Sequence, residues 1–358
     1  MRMGGARHSL SRQPSPPFLP QLVSCSLFIT ICCSLLLLLH FYLRPGPRLE
    51  YLSDDRLQMA SGIADDLKLD KLDGHTKPRM IQLANGVLMP VLGFGTAGLG
   101  EHTKNATLCA LQTGYRLLDS AQAREWYNEE AVGESIRLSG IHREELFLVS
   151  KLHPRNFGYR ITMQQFAKSL EDLGTSYLDL FLLHYPKCFS SICASTNNEV
   201  TWHESWKALE DLYHDKKVKA IGVSNFDLEE LKELLSLAEV KPAILQRYSD
   251  PFHSDRGIQD YCLKEHIQYM GYSTLGSQWF LRGYGFNPVL SHPVVKNIAL
   301  ARKCTAAQVV LQWALKHHQV VIPRSSNPNR IKENFDSLSC ELGREDLVQI
   351  NALDGEVP

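Results

Sequence analysis

The chain has 358 residues, with 38 basic and 39 acidic side chains and a formal net charge of −1. That balance excludes the basic footprint of a nucleic-acid binder, so no nucleic-acid partner is expected. The length alone admits two domains.

Residues 1–21 read as an N-terminal tail. From Leu22 to Leu43 the run LVSCSLFITICCSLLLLLHFYL is almost unbroken apolar, and no formal charge lies between Arg12 and Arg44. It matches the roughly 20 residues that cross a hydrocarbon core, so 22–43 is expected to be a single-pass transmembrane helix. The competing reading is a cleaved signal peptide; against it, the run exceeds the usual apolar region and no A-x-A-like site follows. Arginines flank both ends, so orientation is weakly marked. Residues 44–79 mix Pro, Gly, Asp, Arg and Lys and read as a stalk.

From residue 80 to 358 the pattern changes. IQLANGVLMP is two short runs around Asn85-Gly86, a pair that supplies positive φ at both central turn positions, and predicts a tight hairpin plugging a barrel base. Val/Ile/Leu-rich runs follow near 91–96, 115–120, 146–151, 178–184, 218–223, 243–247, 268–272 and 320–324. Helical segments begin near Thr103, Asn128, Ile161, Thr201, Leu228, Asp255, Thr305 and Asn329. Asp227 with Glu230 three residues on reads as a capping box. About eight strand–helix units fit a (β/α)₈ TIM barrel better than an open doubly wound sheet. GFGTAGLG approaches a dinucleotide fingerprint through Gly93, Gly95 and Gly98, but no helix opens directly on it.

In such a barrel all strands end at one rim. The lone polar residues fall there: Asp119 in YRLLDSA, Lys151 in LFLVSKL, His184 in LDLFLLHYP, Ser224 and Asn225 in VKAIGVSN, Gln246 in PAILQ, Arg324 and Ser325 in VVIPRS. Convergence of such residues points to an enzyme. The six cysteines outside the apolar run show no metal-ligand spacing, and no metal is expected. Cys188 and Cys193 are close enough for a disulfide, but isolated reduced thiols are the expectation. Asn105-Ala106-Thr107 is a glycosylation sequon, meaningful only in a lumen.

The ordered set IQLANGVLMPVLGFGT, GYRLLDSA, LFLVSKL, LDLFLLHYP, KAIGVSNF, PAILQ, GYSTLGS and VVIPRSSNPNRIKEN resembles the aldo-keto reductases from about Met80 to the C-terminus. The resemblance implies NADPH-dependent reduction of a small-molecule carbonyl by an Asp, Tyr, Lys and His quartet. Asp119, Lys151 and His184 match it residue by residue. For the tyrosine, DSAQAREWYNEE is two residues longer than the family's loop: counting forward places Arg124 in the slot, counting back Trp126, and Tyr127 is the loop's one phenol. Tyr127 is the expected proton donor, its pKa lowered by Lys151, with His184 as the acid if Arg124 or Trp126 fills the pocket.

The resemblance further implies that Gly95 and Thr96 lie beside the cofactor. Ser224, Asn225 and Gln246 would hold its carboxamide, and Tyr272 would stack on the nicotinamide. Ser273, Leu275 and Ser277 would span the pyrophosphate. Arg324, Ser325 and Arg330 would grip the 2′-phosphate, Glu333 and Asn334 the adenine. Leu245 and Arg247 depart from the family pattern around Gln246. Trp126, Tyr127, Trp202, Trp279 and Phe280 are candidate walls for a bulky or aromatic substrate. A barrel facing the cytosol, where NADPH is supplied, completes the expectation. The rival is a catalytically impaired NADPH-binding module tethered to a membrane partner.

Overall fold

The structure, a computed structural model, describes residues 71–72, 75–76, 79–188, 193 and 201–356. A short antiparallel pair, β1 (Lys71–Leu72) and β2 (His75–Thr76), precedes a hairpin of β3 (Met80–Gln82) and β4 (Leu88–Pro90). Of the Asn85-Gly86 pair only Gly86 takes positive φ, and its N–H donates to Leu83 O at 2.8 Å. The turn is therefore wider than the two-residue type expected. Asn85 instead uses its side-chain amide to donate to Lys219 O at 2.9 Å, fastening the hairpin to the barrel. Leu83 and Met89 enter the interior core, so the hairpin plugs the barrel.

Eight parallel strands follow in sequential order: β5 (Gly93–Gly95), β6 (Leu117–Asp119), β7 (Phe147–Leu152), β8 (Leu178–Leu183), β9 (Val218–Ser224), β10 (Ile244–Tyr248), β11 (Gln268–Tyr272) and β12 (Val320–Val321). A parallel bridge between Leu92 and Val321 joins the two ends, so the sheet closes and presents no free edge. At that seam a Cβ on Gly95 would lie 2.7 Å from Ile322 O, which only glycine avoids. The expected (β/α)₈ barrel is what the chain forms. Alternation along each strand divides the apolar side chains into two cores. Leu117, Val149, Leu180 and Met270 fill the interior, while Leu118, Leu148, Phe181 and Val321 meet the helices.

The helical layer comprises α1 (Thr103–Thr113), α2 (Glu129–Ser139), α3 (Tyr159–Leu173), α4 (Trp202–His214), α5 (Leu228–Leu237) and α6 (Arg256–Lys264). Between β11 and β12 lie α7 (Ser277–Leu281), α8 (Pro288–Ser291), α9 (Pro293–Arg302) and α10 (Ala306–Lys316); α11 (Pro328–Phe335) and α12 (Arg344–Asn351) end the chain. The capping box at α5 forms as read: Glu230 N–H donates to Asp227 Oδ1 and Asp227 N–H to Glu230 Oε2, both at 2.8 Å. Helices α7 to α9 and α12 had no counterpart in the sequence reading. The first two span five and four residues, too short to display a 3.6-residue period.

Two expectations are corrected. No helix among the described residues is long and apolar enough to cross a membrane; the longest of them, α3, has 15 residues, short of the roughly 20 required. The single-pass membrane location and the cytosol-facing orientation are withdrawn on this finding. The run 22–43 on which they rested, with 1–21 and most of 44–79, lies outside the described residues. The cysteines are also not all isolated thiols. Among the described residues, Cys188 pairs with Cys193 and Cys304 with Cys340 across 36 residues, while Cys109 and Cys262 are free.

Candidate active site

Asp119 ends β6 and Lys151 lies near the end of the adjacent β7, both on the inward side of the pleat. The Lys151 ammonium donates to Asp119 Oδ1 at 2.6 Å and to Ser120 O at 2.9 Å. Lys151 is fully buried and Asp119 nearly so. The second carboxylate oxygen of Asp119 accepts from Gln246 Nε2 at 2.8 Å. A buried pair of this kind needs hydrogen bonds beyond the pairing itself, and Ser120 O and Gln246 Nε2 supply one to each partner. His184 stands just beyond β8. Its N–H donates to Leu152 O at 3.0 Å, and its carbonyl accepts from Asn225 Nδ2 at 2.8 Å.

The lengthened loop coils rather than spreads. Trp126 and Tyr127 both donate their N–H to Ala123 O, at 2.8 and 2.9 Å. This turn sends the three candidate residues in different directions. Arg124 reaches Glu130 and Asp172, at 3.4 and 3.3 Å, and Trp126 is 54% exposed. The Tyr127 ring lies 5.0 Å from the Lys151 ammonium and meets the His184 ring edge-on at 5.9 Å. Tyr127, not its neighbours, shares the space of Lys151 and His184.

Electrostatics set the protonation states. Burial pushes the Tyr127 phenol well above its ordinary value; the Asp119 charge adds to this and Arg324 opposes it. The expected lowering by Lys151 is therefore not what dominates, and the phenol keeps its proton. Burial, then the charge of Lys151, hold the His184 imidazole well below its ordinary value, so the ring is neutral. His184 Nδ1 is buried without a hydrogen-bond partner.

The residues expected to hold a dinucleotide line the same rim. Asn225, in a left-handed conformation at φ 62°, accepts from Tyr272 OH at 2.7 Å and donates to Ser224 Oγ at 3.1 Å. The departures around Gln246 leave its position intact, because alternation turns Leu245 and Arg247 outward: Arg247 donates to Asp255 at 2.6 Å and to Phe226 O at 2.6 Å. Ser273 accepts from Gln278 Nε2, and Leu275 O accepts from Asn287 Nδ2, which braces the loop that runs through Ser277 into α7. Thr96 is buried, with N–H and hydroxyl both donated to Asp119 O.

Arg324 and Arg330 are exposed, beside half-buried Ser325 and Glu333, while Asn334 is buried. Asn327 caps α11 by accepting from Asn329 N–H and Arg330 N–H. The guanidinium groups, rather than those N–H groups, are therefore the donors an anion would meet.

Two expected walls do other work. Trp202 and Trp279 are buried, the latter donating its indole N–H to Asp250 at 2.8 Å. Tyr185, overlooked in the sequence reading, stacks on His184 at 4.8 Å; its signal was adjacency to a histidine at a strand end. Behind the loop lies a cavity of about 500 Å³ lined by Gly98, Trp126, Tyr127, Glu129, Lys168 and Asp172 among others. It abuts the quartet through Tyr127 but includes neither Lys151 nor His184.

A closed parallel barrel with a buried Lys–Asp pair, a phenol and a neutral imidazole at its rim defines a class of rim-site oxidoreductases on the TIM fold. The sequence profile of the Aldo/keto reductase family matches residues 91–355, and the chain belongs to that family. It is 38% identical to a glyoxal reductase of Bacillus subtilis over 275 residues, 76% of this chain and 92% of the relative. A crystal structure of an aldo/keto reductase from Brucella melitensis superposes with a TM-score of 0.69 at 33% identity, covering 78% of this chain and 100% of that one. A Bombyx mori aldo-keto reductase in complex with NADP gives 0.72 at 27% identity, covering 78% and 94%.

Proposed function

We propose that the protein reduces an aldehyde or ketone to an alcohol with NADPH, Tyr127 donating the proton. The observation that carries this reading is the meeting of Asp119, Lys151, Tyr127 and His184 at one rim. When bound, the cofactor supplies a hydride to the carbonyl carbon. Tyr127, kept protonated by burial, gives its proton to the carbonyl oxygen as charge develops there. Lys151, anchored by Asp119, stabilises the phenolate left behind. The neutral His184 orients the carbonyl oxygen by hydrogen bonding rather than by charge. The relative named a glyoxal reductase and the structure with NADP support small reactive carbonyls as substrates and NADP(H) as the cofactor.

The donor set suits that cofactor. Ser224, Asn225 and Gln246 would hold the carboxamide beside Tyr272, with Gly95 and Thr96 bordering it and Ser273, Leu275 and Ser277 spanning the pyrophosphate. Arg324, Ser325 and Arg330 would take the 2′-phosphate, and Glu333 and Asn334 the adenine. A planar guanidinium binds phosphate through two hydrogen bonds, so Arg324 favours NADPH over NADH. The test is NADPH oxidation by the purified protein with glyoxal, methylglyoxal and aromatic aldehydes. Turnover that Tyr127→Phe slows by about 10²- to 10⁴-fold supports the reading. Tight NADPH binding without turnover of any carbonyl would favour a binding module instead.

A further inference from the structure

We infer that Glu125, His153 and Arg155 are positioning residues that lock the lengthened loop so that Tyr127 faces Lys151, a role that rests on the proposed use of Tyr127 as proton donor. Glu125 sits at the apex of the coiled turn, two residues before Tyr127. Its carboxylate accepts from Arg155 Nη2 at 2.7 Å and lies 3.2 Å from His153 Nε2. His153 follows β7 immediately, two residues after Lys151. Its Nδ1 accepts from the backbone N–H of Arg155 at 3.1 Å and from Arg155 Nε at 3.0 Å. Both contacts place the proton on Nε2, the atom facing Glu125, where Arg155 Nη2, itself a donor, also approaches to 3.2 Å.

The same two strand-end segments are joined again lower down. Gln122 donates its N–H to Lys151 O at 3.2 Å and accepts from His153 N–H at 3.4 Å, while its side-chain amide donates to Gln165 O at 3.0 Å. The loop is thus sewn to the Lys151 strand at its root by Gln122 and at its apex by Glu125. Gly98 donates to Trp126 O at 2.6 Å from the other side.

His153 is almost fully buried, two residues beyond Lys151. Burial and the Arg155 charge depress its pKa to about 4, so at working pH it is a neutral donor to Glu125. Glu125 and Arg155 are 40% and 42% exposed, where ion pairs contribute little to overall stability. Their value lies in geometry, since a displacement of about 1 Å at a reacting group costs on the order of a hundredfold in rate.

The experiment is a double-mutant cycle read by single-turnover NADPH oxidation with glyoxal or benzaldehyde, alongside NADPH affinity from tryptophan fluorescence. Glu125→Ala is expected to slow the chemical step about 10- to 100-fold with NADPH affinity and melting temperature nearly unchanged. Glu125→Gln keeps an acceptor for His153 and Arg155 and should retain most of the rate. In a Tyr127→Phe background Glu125→Ala should cost nothing further, because a residue acting through the phenol has nothing left to position. Losses that multiply in the double variant, or a Glu125→Ala rate equal to wild type, overturn the positioning role while leaving Tyr127 as the acid. Undiminished turnover in Tyr127→Phe overturns both.

Discussion

Replacing Lys151 by Met is the most informative single perturbation of the rim. Methionine fills similar volume but leaves the Asp119 carboxylate in the barrel with one side-chain donor, Gln246 Nε2 at 2.8 Å. It also strips Ser120 O of its 2.9 Å partner. Breaking a fully buried ion pair by removing one member costs about 3–5 kcal/mol. For a barrel of this size that corresponds to a fall of roughly 10 °C in melting temperature. The cost comes from the stranded charge rather than from lost packing. Lys151→Met/Asp119→Asn should therefore recover most of the lost stability, since the amide still offers an oxygen to Gln246. Hydride transfer should be lost in both variants, because neither restores a cation beside Tyr127. Differential scanning calorimetry gives the first quantity and single-turnover NADPH oxidation the second. A Lys151→Met protein melting within a degree or two of wild type would refute the reasoning, as would a double variant less stable than the single one.

Two further outcomes follow from the same geometry. The depressed pKa of His153, about 4 in the folded chain against an unperturbed value of about 6.5, means that the unfolded state binds more protons between those limits. Stability should be full above pH about 6.5 and fall as pH drops towards 4, and His153→Gln should flatten that slope in urea melts at stepped pH. Arg324→Ala removes a charged phosphate donor worth about 1.5–3 kcal/mol, so NADPH affinity should fall about 10- to 100-fold while NADH affinity barely changes. Equal losses for both cofactors in fluorescence titrations would place Arg324 elsewhere than at the 2′-phosphate.

Where the sequence was readable, the reason is local periodicity. Gln246 was placed by the strand-like run PAILQ, and although Leu245 and Arg247 depart from the family pattern, strand alternation turns both away and leaves Gln246 on Asp119. Asp119 and Lys151 could be paired because consecutive parallel strands are neighbours in space. The tyrosine resisted for the opposite reason: inserted residues break the count from either end, and only the coiled turn at Ala123 decides which ring points inward. The Glu125–Arg155 contact joins residues 30 apart with no repeating pattern to announce it. The Cys304–Cys340 bridge is invisible for the same cause. The membrane expectation leaned on hydropathy alone, in a segment beyond the described residues.

That bridge has a consequence for the cofactor end of the barrel. Between its two sulfurs lie α10, β12, the Arg324–Ser325 turn and α11, so the segment proposed to take the 2′-phosphate belongs to a covalent ring. A protease that nicks the chain anywhere inside the ring releases no fragment until a reductant opens the loop.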